Sequence, residues 1–241
     1  MGLANTAVTI EDEWSVKNNP GAFSFLEKTT ASIQYSNRFL VSELSNQNLC
    51  FGYHTNTGNI GVYIQQSGFK LFRQIQVGGT YAMKLSKRFG LGININYHST
   101  QFGDIYGQKS NMSAGIGMKY KLNDDIQFGA SVLNINRSKL SDFEDERLPS
   151  VFIIGGVYHV TKQISWLLEL QKDFNTSVRI KSGLEIKAND IFEIRLGINS
   201  YPFQSAFGFG IILKQFRIDM ASIWHSKLGL SPTIGLVYQF K

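Results

Sequence analysis

The chain has 241 residues, a formal net charge of +6, 43% hydrophobic residues, 23 glycines, four prolines and one cysteine. A lone Cys50 excludes an internal disulfide, and Lys and Arg scattered singly rather than in blocks exclude a nucleic-acid partner. Apolar runs reach only about four or five residues against the roughly 20 of a spanning helix, so no helix crosses a bilayer.

Taken in chain order, Met1 is followed by Gly-Leu-Ala-Asn-Thr without a basic start and an apolar stretch, which reads as a cytosolic chain or a mature form. Residues 13–21, Glu-Trp-Ser-Val-Lys-Asn-Asn-Pro-Gly, are too irregular for a strand and too broken for a helix. From about residue 30 the pattern is alternation, which sends successive side chains to opposite faces of a strand. In 111–120, Met112, Ala114, Ile116, Met118 and Tyr120 share one face, while Asn111, Ser113, Gly115, Gly117 and Lys119 share the other. The same holds for Leu91, Ile93, Ile95 and Tyr97, for Phe192, Ile194, Leu196 and Ile198, and for Ile234, Leu236, Tyr238 and Phe240.

Such segments predict about fourteen strands, near 30–36, 47–54, 58–66, 70–84, 88–99, 109–121, 125–134, 150–160, 163–173, 176–188, 191–200, 204–214, 215–224 and 231–241. Many reach the roughly nine to eleven residues with which a tilted strand crosses a bilayer. The connections alternate between tight ones, such as 55–58 and 122–125, and longer ones, such as 135–150, as in an outer-membrane barrel with its short turns in the periplasm. An even strand number puts both chain ends on the short-turn side. Glu169, Arg179, Lys181, Glu185, Glu193, Arg195, Arg217 and Asp219 all fall opposite the apolar stripe, and Trp166, Phe216, Trp224 and Phe240 fall near the ends of outward stripes. The expected fold is all-β: a transmembrane antiparallel β-barrel over 29–241, preceded by residues 1–28.

Catalytic and metal signatures are absent from the sequence. His54, His98, His159 and His225 lie on separate elements without metal-ligand spacing, and no Ser sits in G-x-S-x-G. Gly208 and Gly210, alternating with Phe207 and Phe209, lack the Lys and helix of a phosphate loop. Glu185 and Glu193 are interleaved with Arg179, Lys181 and Arg195, so an ion-pair network in the lumen is expected rather than an acid–base pair. Asp142, Glu144, Asp145 and Glu146 lack calcium-loop spacing and read as solvated charge or a partner contact. No cofactor, metal or catalytic residue is expected.

The Asn-Asn-Pro-Gly element of 18–21 ahead of about fourteen strands resembles the FadL-like outer-membrane barrels, in which an Asn-Pro-Ala element lies in an N-terminal hatch. Gly21 stands where Ala is usual. The layout of 1–28 followed by Ile33-Gln-Tyr-Ser-Asn-Arg-Phe looks more like the Bacteroidota branch that includes the PorV and PorQ barrels associated with type IX secretion. Phe240, not the terminal Lys241, falls where a barrel-insertion signal ends on an aromatic. The resemblance implies a bacterial outer-membrane location and a hatch of residues 1–28 filling the periplasmic half of the lumen. In it Trp14 anchors, Asn18 and Asn19 hydrogen-bond turn backbone, and Pro20-Gly21 reverses the chain. It further implies a non-enzymatic accessory subunit of an export or assembly machine, with outer-membrane lipid and other outer-membrane or periplasmic subunits as partners. The alternative is a channel for hydrophobic small molecules, which needs a lateral opening; Gly78-Gly79 and Gly155-Gly156 are where an inward kink is expected.

Overall fold

The computed structural model describes residues 2–103, 107–139, 147–174 and 176–241. Fourteen strands close into one antiparallel barrel: β1 (Thr30–Asn37), β2 (Ser45–His54), β3 (Asn59–Phe69), β4 (Phe72–Lys84), β5 (Phe89–Phe102), β6 (Gln108–Lys121), β7 (Ile126–Leu133), β8 (Val151–His159), β9 (Ile164–Asp173), β10 (Arg179–Lys187), β11 (Phe192–Ser200), β12 (Phe203–Leu213), β13 (Phe216–His225) and β14 (Gly229–Gln239). Every strand pairs with its sequence neighbours, and β1 closes on β14 from Thr30↔Gln239 to Ser36↔Thr233. Closure leaves no free edge, which satisfies the backbone without water and suits a bilayer.

The expected alternation is realised side chain by side chain. Ile93, Ile95 and Tyr97 of β5 and Met112, Ile116 and Met118 of β6 are exposed on the outer wall, while Asn94, Asn96, Ser113 and Lys119 are buried within. This inverts a water-soluble protein: the apolar face is outside, where lipid is the solvent, and polar groups are inside. Tyr53, Tyr81, Tyr120, Phe128, Tyr158, Trp166, Phe216 and Phe240 ring one end of the outer wall, and Tyr35, Phe102, Phe152, Phe174, Phe203 and Trp224 ring the other. Aromatic side chains partition to the two membrane interfaces, so the rings mark the edges of the apolar band. The fold is a transmembrane β-barrel.

Loop asymmetry is weaker than the sequence suggests. At the end that holds the start of β1 and the end of β14, the connections are 55–58, 85–88, 122–125, 160–163, 188–191 and 214–215. At the other end they are 38–44, 70–71, 103–107, 134–150, 174–178, 201–202 and 226–228, so the long-loop end also contains two-residue hairpins. The strands reach further than the apolar stripe there, pairing Phe69 directly with Phe72 and Ser200 with Phe203, and use up residues that read as loop. Wall height is uneven: β5 and β6 have 14 residues, whereas β7 between β6 and β8 has 8.

Candidate functional site

The lumen concentrates the buried polar groups, and residues 2–28 run through it. The segment follows the wall over a belt of inward glycines. Gly2 lies against Gly208 of β12, Leu3 against Gly197 of β11, Val8 against Gly129 of β7, Asn19 against Gly117 of β6 and Pro20 against Gly92 of β5. A Cβ at Gly117 would stand 2.1 Å from the Asn19 carboxamide oxygen, and one at Gly197 2.3 Å from the Leu3 carbonyl carbon. The wall is therefore bare at these five contacts.

Two short helices, α1 (Ser15–Asn18) and α2 (Pro20–Phe23), meet at Asn19. Asn19 is fully buried; its Oδ1 accepts from Gly21 N at 2.9 Å, capping α2, and its Nδ2 donates to Val8 O at 2.6 Å and to Met118 O of β6 at 3.0 Å. Pro20 takes the first helical position, where its fixed φ fits and its missing N–H costs nothing. Pro20-Gly21 thus opens a helical turn instead of reversing the chain, because a capping Asn and an N1 proline together favour a helix start. Asn18 contributes its main-chain oxygen, which accepts from Ser131 Oγ at 3.3 Å. A Cβ at Gly21 would lie 2.3 Å from Met118 Cα, so this position has no room for the Ala of the resembling hatch element. Trp14 is half-buried and packs on a core of Val16, Phe23, Leu26, Cys50, Tyr63 and Ala82 inside the barrel.

Charge ties the segment to the wall at three places. The Glu169 carboxylate accepts from Ala7 N at 2.9 Å and Val8 N at 3.0 Å while pairing with Lys181 at 2.8 Å. Glu11 pairs with Lys119 at 2.7 Å and Lys121 at 2.6 Å. Glu13 pairs with Arg217 at 2.8 Å; Arg217 also holds Asp219 at 2.8 Å, and Arg195 joins Asp219, Glu185 and Glu193 at 2.6, 2.9 and 2.5 Å. Burial outweighs the nearby guanidinium and pushes the Glu13 carboxyl up to about 7. The expected network therefore divides into a Glu169–Lys181 pair and an Arg195–Arg217 cluster. Arg179 belongs to neither: it sits one alternation beyond Lys181, toward the long-loop end, and its Nε has no hydrogen-bond partner. Glu11, Glu13, Lys119 and Lys121 escape a sequence reading because their partners are roughly 100 to 200 residues away.

The remaining sequence candidates stay apart. His98 meets Ser113 and His159 meets Ser165, each at 2.8 Å, His54 meets Asn59 at 2.9 Å, and His225 accepts from Lys227 N at 3.1 Å. Among the described residues no group of three His, Cys, Asp or Glu is placed to hold a metal. Asp142, Glu144, Asp145 and Glu146 lie outside the described residues. No kink opens the wall at Gly78-Gly79 or Gly155-Gly156, since pairing runs unbroken through both. An inward Gly78 is instead filled by Tyr63 and Asn96, and Gly155 by Val8.

Two hollows lie back to back at another part of the wall. A lumenal cavity of about 360 Å³ lies beside the segment, bordered by Asp12, Trp14, Gly208, Ala221, Thr233 and Gly235. On the outer face an apolar recess of about 570 Å³ is lined by Tyr35, Phe207, Phe209, Met220, Pro232 and Ile234, and it also borders Ala221 and Thr233. Only main chain and small side chains separate the two. The β1–β14 ladder ends at Ser36↔Thr233, and the next β14 residue is Pro232, which has no N–H to give. Past that point β1 leaves the wall through the turns Arg38–Leu40 and Ser42–Leu44, and Phe39 N donates to Ser231 Oγ at 3.0 Å.

No family model matches the chain, and no curated protein matches it by sequence. Solved structures do match over nearly its whole length. The CymD monoaromatic hydrocarbon channel superposes with a TM-score of 0.72 at 9% identity, covering 97% of this chain and 94% of that one. The toluene transporter TodX of Pseudomonas putida gives 0.72 at 10% identity over 99% and 97%. The chain has the FadL-type barrel fold. A FadL homologue from Pseudomonas aeruginosa agrees, at 0.70 and 12% identity over 98% and 96%. At such identities the likeness establishes the FadL-type architecture alone, and the chemistry has to come from the side chains of this chain.

Proposed function

We propose that this FadL-type barrel is a non-enzymatic channel of the bacterial outer membrane for small hydrophobic molecules, with residues 2–28 as its hatch. The observation that carries the reading is the pair of hollows on opposite faces of β13 and β14, both bordered by Ala221 and Thr233, beside the point where the β1–β14 ladder stops. A hydrophobic solute gains nothing from crossing to water and leaves most favourably sideways into lipid, so an apolar recess on the outer wall suits a lateral exit. Beyond Thr233 the seam is tied by the Phe39 N–Ser231 Oγ bond in place of a ladder, because Pro232 contributes no donor there. The structural likeness to hydrocarbon channels supports the same class of solute. An accessory role in protein export draws no support from these likenesses.

The test locks the seam. Ser36 and Thr233 are direct cross-strand partners, and antiparallel partners stand at a separation a disulfide can bridge. In proteoliposomes, the S36C/T233C protein should take up a monoaromatic probe when reduced and lose most of that uptake when oxidised. Equal uptake in both states, or none above protein-free vesicles for the unmodified chain, refutes the lateral route.

A further inference from the structure

The hatch presents different chemistry to its two sides. Toward the short turns, Lys119, Arg195 and Arg217 each hold a carboxylate within 3 Å, and Lys181, level with residues 5–8, holds Glu169 at 2.8 Å. Toward the long loops, Lys17 of α1 rises from the hatch, and among the described residues no carboxylate stands beside it. Its Nζ donates to Gln65 Oε1 and lies 5.7 Å from the centroid of the Tyr63 ring. The wall around it is built of neutral hydrogen-bonding groups: Tyr63 is buried, its hydroxyl accepts from Gln76 Nε2 at 2.5 Å and donates to Asn96 Oδ1 at 2.8 Å. Asn94, two positions from Asn96 on the same inward face of β5, is 1% exposed with neither carboxamide atom hydrogen-bonded.

An ammonium in such a place has lost much of its hydration and gained a single amide oxygen and a ring face in return. Burial alone drives the Lys17 amine down to about 8. Further along the same lumenal half stands Arg179, half-buried and with its Nε unsatisfied. Lys17, an ammonium with no carboxylate partner among the described residues and surrounded by amides that can each turn a donor toward a ligand, lacks one component, an acceptor carrying negative charge.

We propose that Lys17, with the amide and hydroxyl groups of Tyr63, Gln65, Gln76 and Asn96, forms a binding site for a small hydrophilic oxyanion of the carboxylate or phosphate class, entered from the long-loop end. The oxyanion replaces Gln65 as the partner of Lys17 Nζ, and the side-chain amides of Gln65 and Gln76 donate to its remaining oxygens. Arg179 draws the anion into the lumen but does not touch it in the bound position. The site is separate from the apolar recess on the outer wall, and it stands whether or not a hydrophobic solute leaves through the β1–β14 seam.

Calorimetric titration of the full detergent-purified chain with inorganic phosphate, and separately with acetate, at constant ionic strength, tests this. Saturable binding is expected for at least one of the two anions, weakened roughly tenfold or more in K17Q, as for loss of a charge-assisted hydrogen bond. K162Q, in an exposed turn at the opposite end, should bind like the unmodified chain. Since K17Q also alters the hatch, Q76L provides a variant with the ammonium intact, and its binding must fall as well. Absence of saturable binding to either anion, or unchanged affinity in K17Q or Q76L, overturns the proposal.

Discussion

Replacing Asn19 with Ala tests most directly how the hatch is held. The substitution removes the cap of α2 and both donors from Nδ2, leaving the Val8 and Met118 carbonyl oxygens without those partners inside the barrel. Loss of an Asn cap costs about 1 kcal/mol. Each orphaned buried carbonyl costs about 1–3 kcal/mol, so the seated hatch loses roughly 3–7 kcal/mol in all. At about 1.4 kcal/mol per decade, even the lower figure is a factor of about 100 in the equilibrium between seated and detached hatch. The barrel wall keeps its ladders, so the loss stays local. Two readouts follow. In a W166F/W224F background, Trp14 fluorescence should become quenchable by acrylamide, and in planar bilayers N19A should show conductance steps that the parent lacks. If N19A matches its parent in both quenching and conductance, Asn19 does not pin the hatch.

Titration gives a second expectation. The Glu13 carboxyl is raised from 4.5 to about 7 in the folded chain. A raised folded value means that the seated hatch binds the proton more tightly than the detached one. That contribution is complete below about 4.5 and disappears as the pH rises through about 7. Trp14 quenching should therefore increase from pH 5 to pH 8, and E13Q should flatten the profile; a profile unaltered by E13Q assigns the titration elsewhere. At the other tie, E169A strips Lys181 of its buried counter-ion and leaves two segment amides unsatisfied. A cost of about 3–5 kcal/mol is expected for the broken pair, visible as protease cleavage within residues 2–28 of a folded barrel; full resistance would show that the pair is dispensable.

Much of the barrel is legible in the sequence because its solvent is reversed along a two-residue period, and local chemistry sets that period. The expected 191–200 and 204–214 are Phe192–Ser200 and Phe203–Leu213 in the structure, and Phe207 and Leu196 face outward as their alternation requires. Where strands outrun their apolar stripe the reading falls short: 67–69, between the expected strands 58–66 and 70–84, belong to β3, and the turn falls at 70–71, because a polar strand end and a loop look alike. The site is another matter. Asn19 meets Met118, Glu13 meets Arg217, and Gly2 meets Gly208, contacts made only once the wall has curved. Gly115 and Gly117 read as small inward residues, and nothing local says that main chain will lie on Gly117. Gly21, a departure from the Asn-Pro-Ala pattern, becomes explicable only when the backbone of β6 is found 2.3 Å from its missing Cβ.

The glycine belt also constrains the order in which the molecule can be built. Its members are spread from β5 to β12, and they form one continuous track only after those strands have been bent into a cylinder. Contacts between residues so distant in the chain form late, because their loop-closure entropy is offset only when the intervening structure is in place. The residues that precede every strand in the sequence thus have nowhere to bind until the last strand has closed. The hatch lies ahead of the strands in the sequence and behind them in assembly.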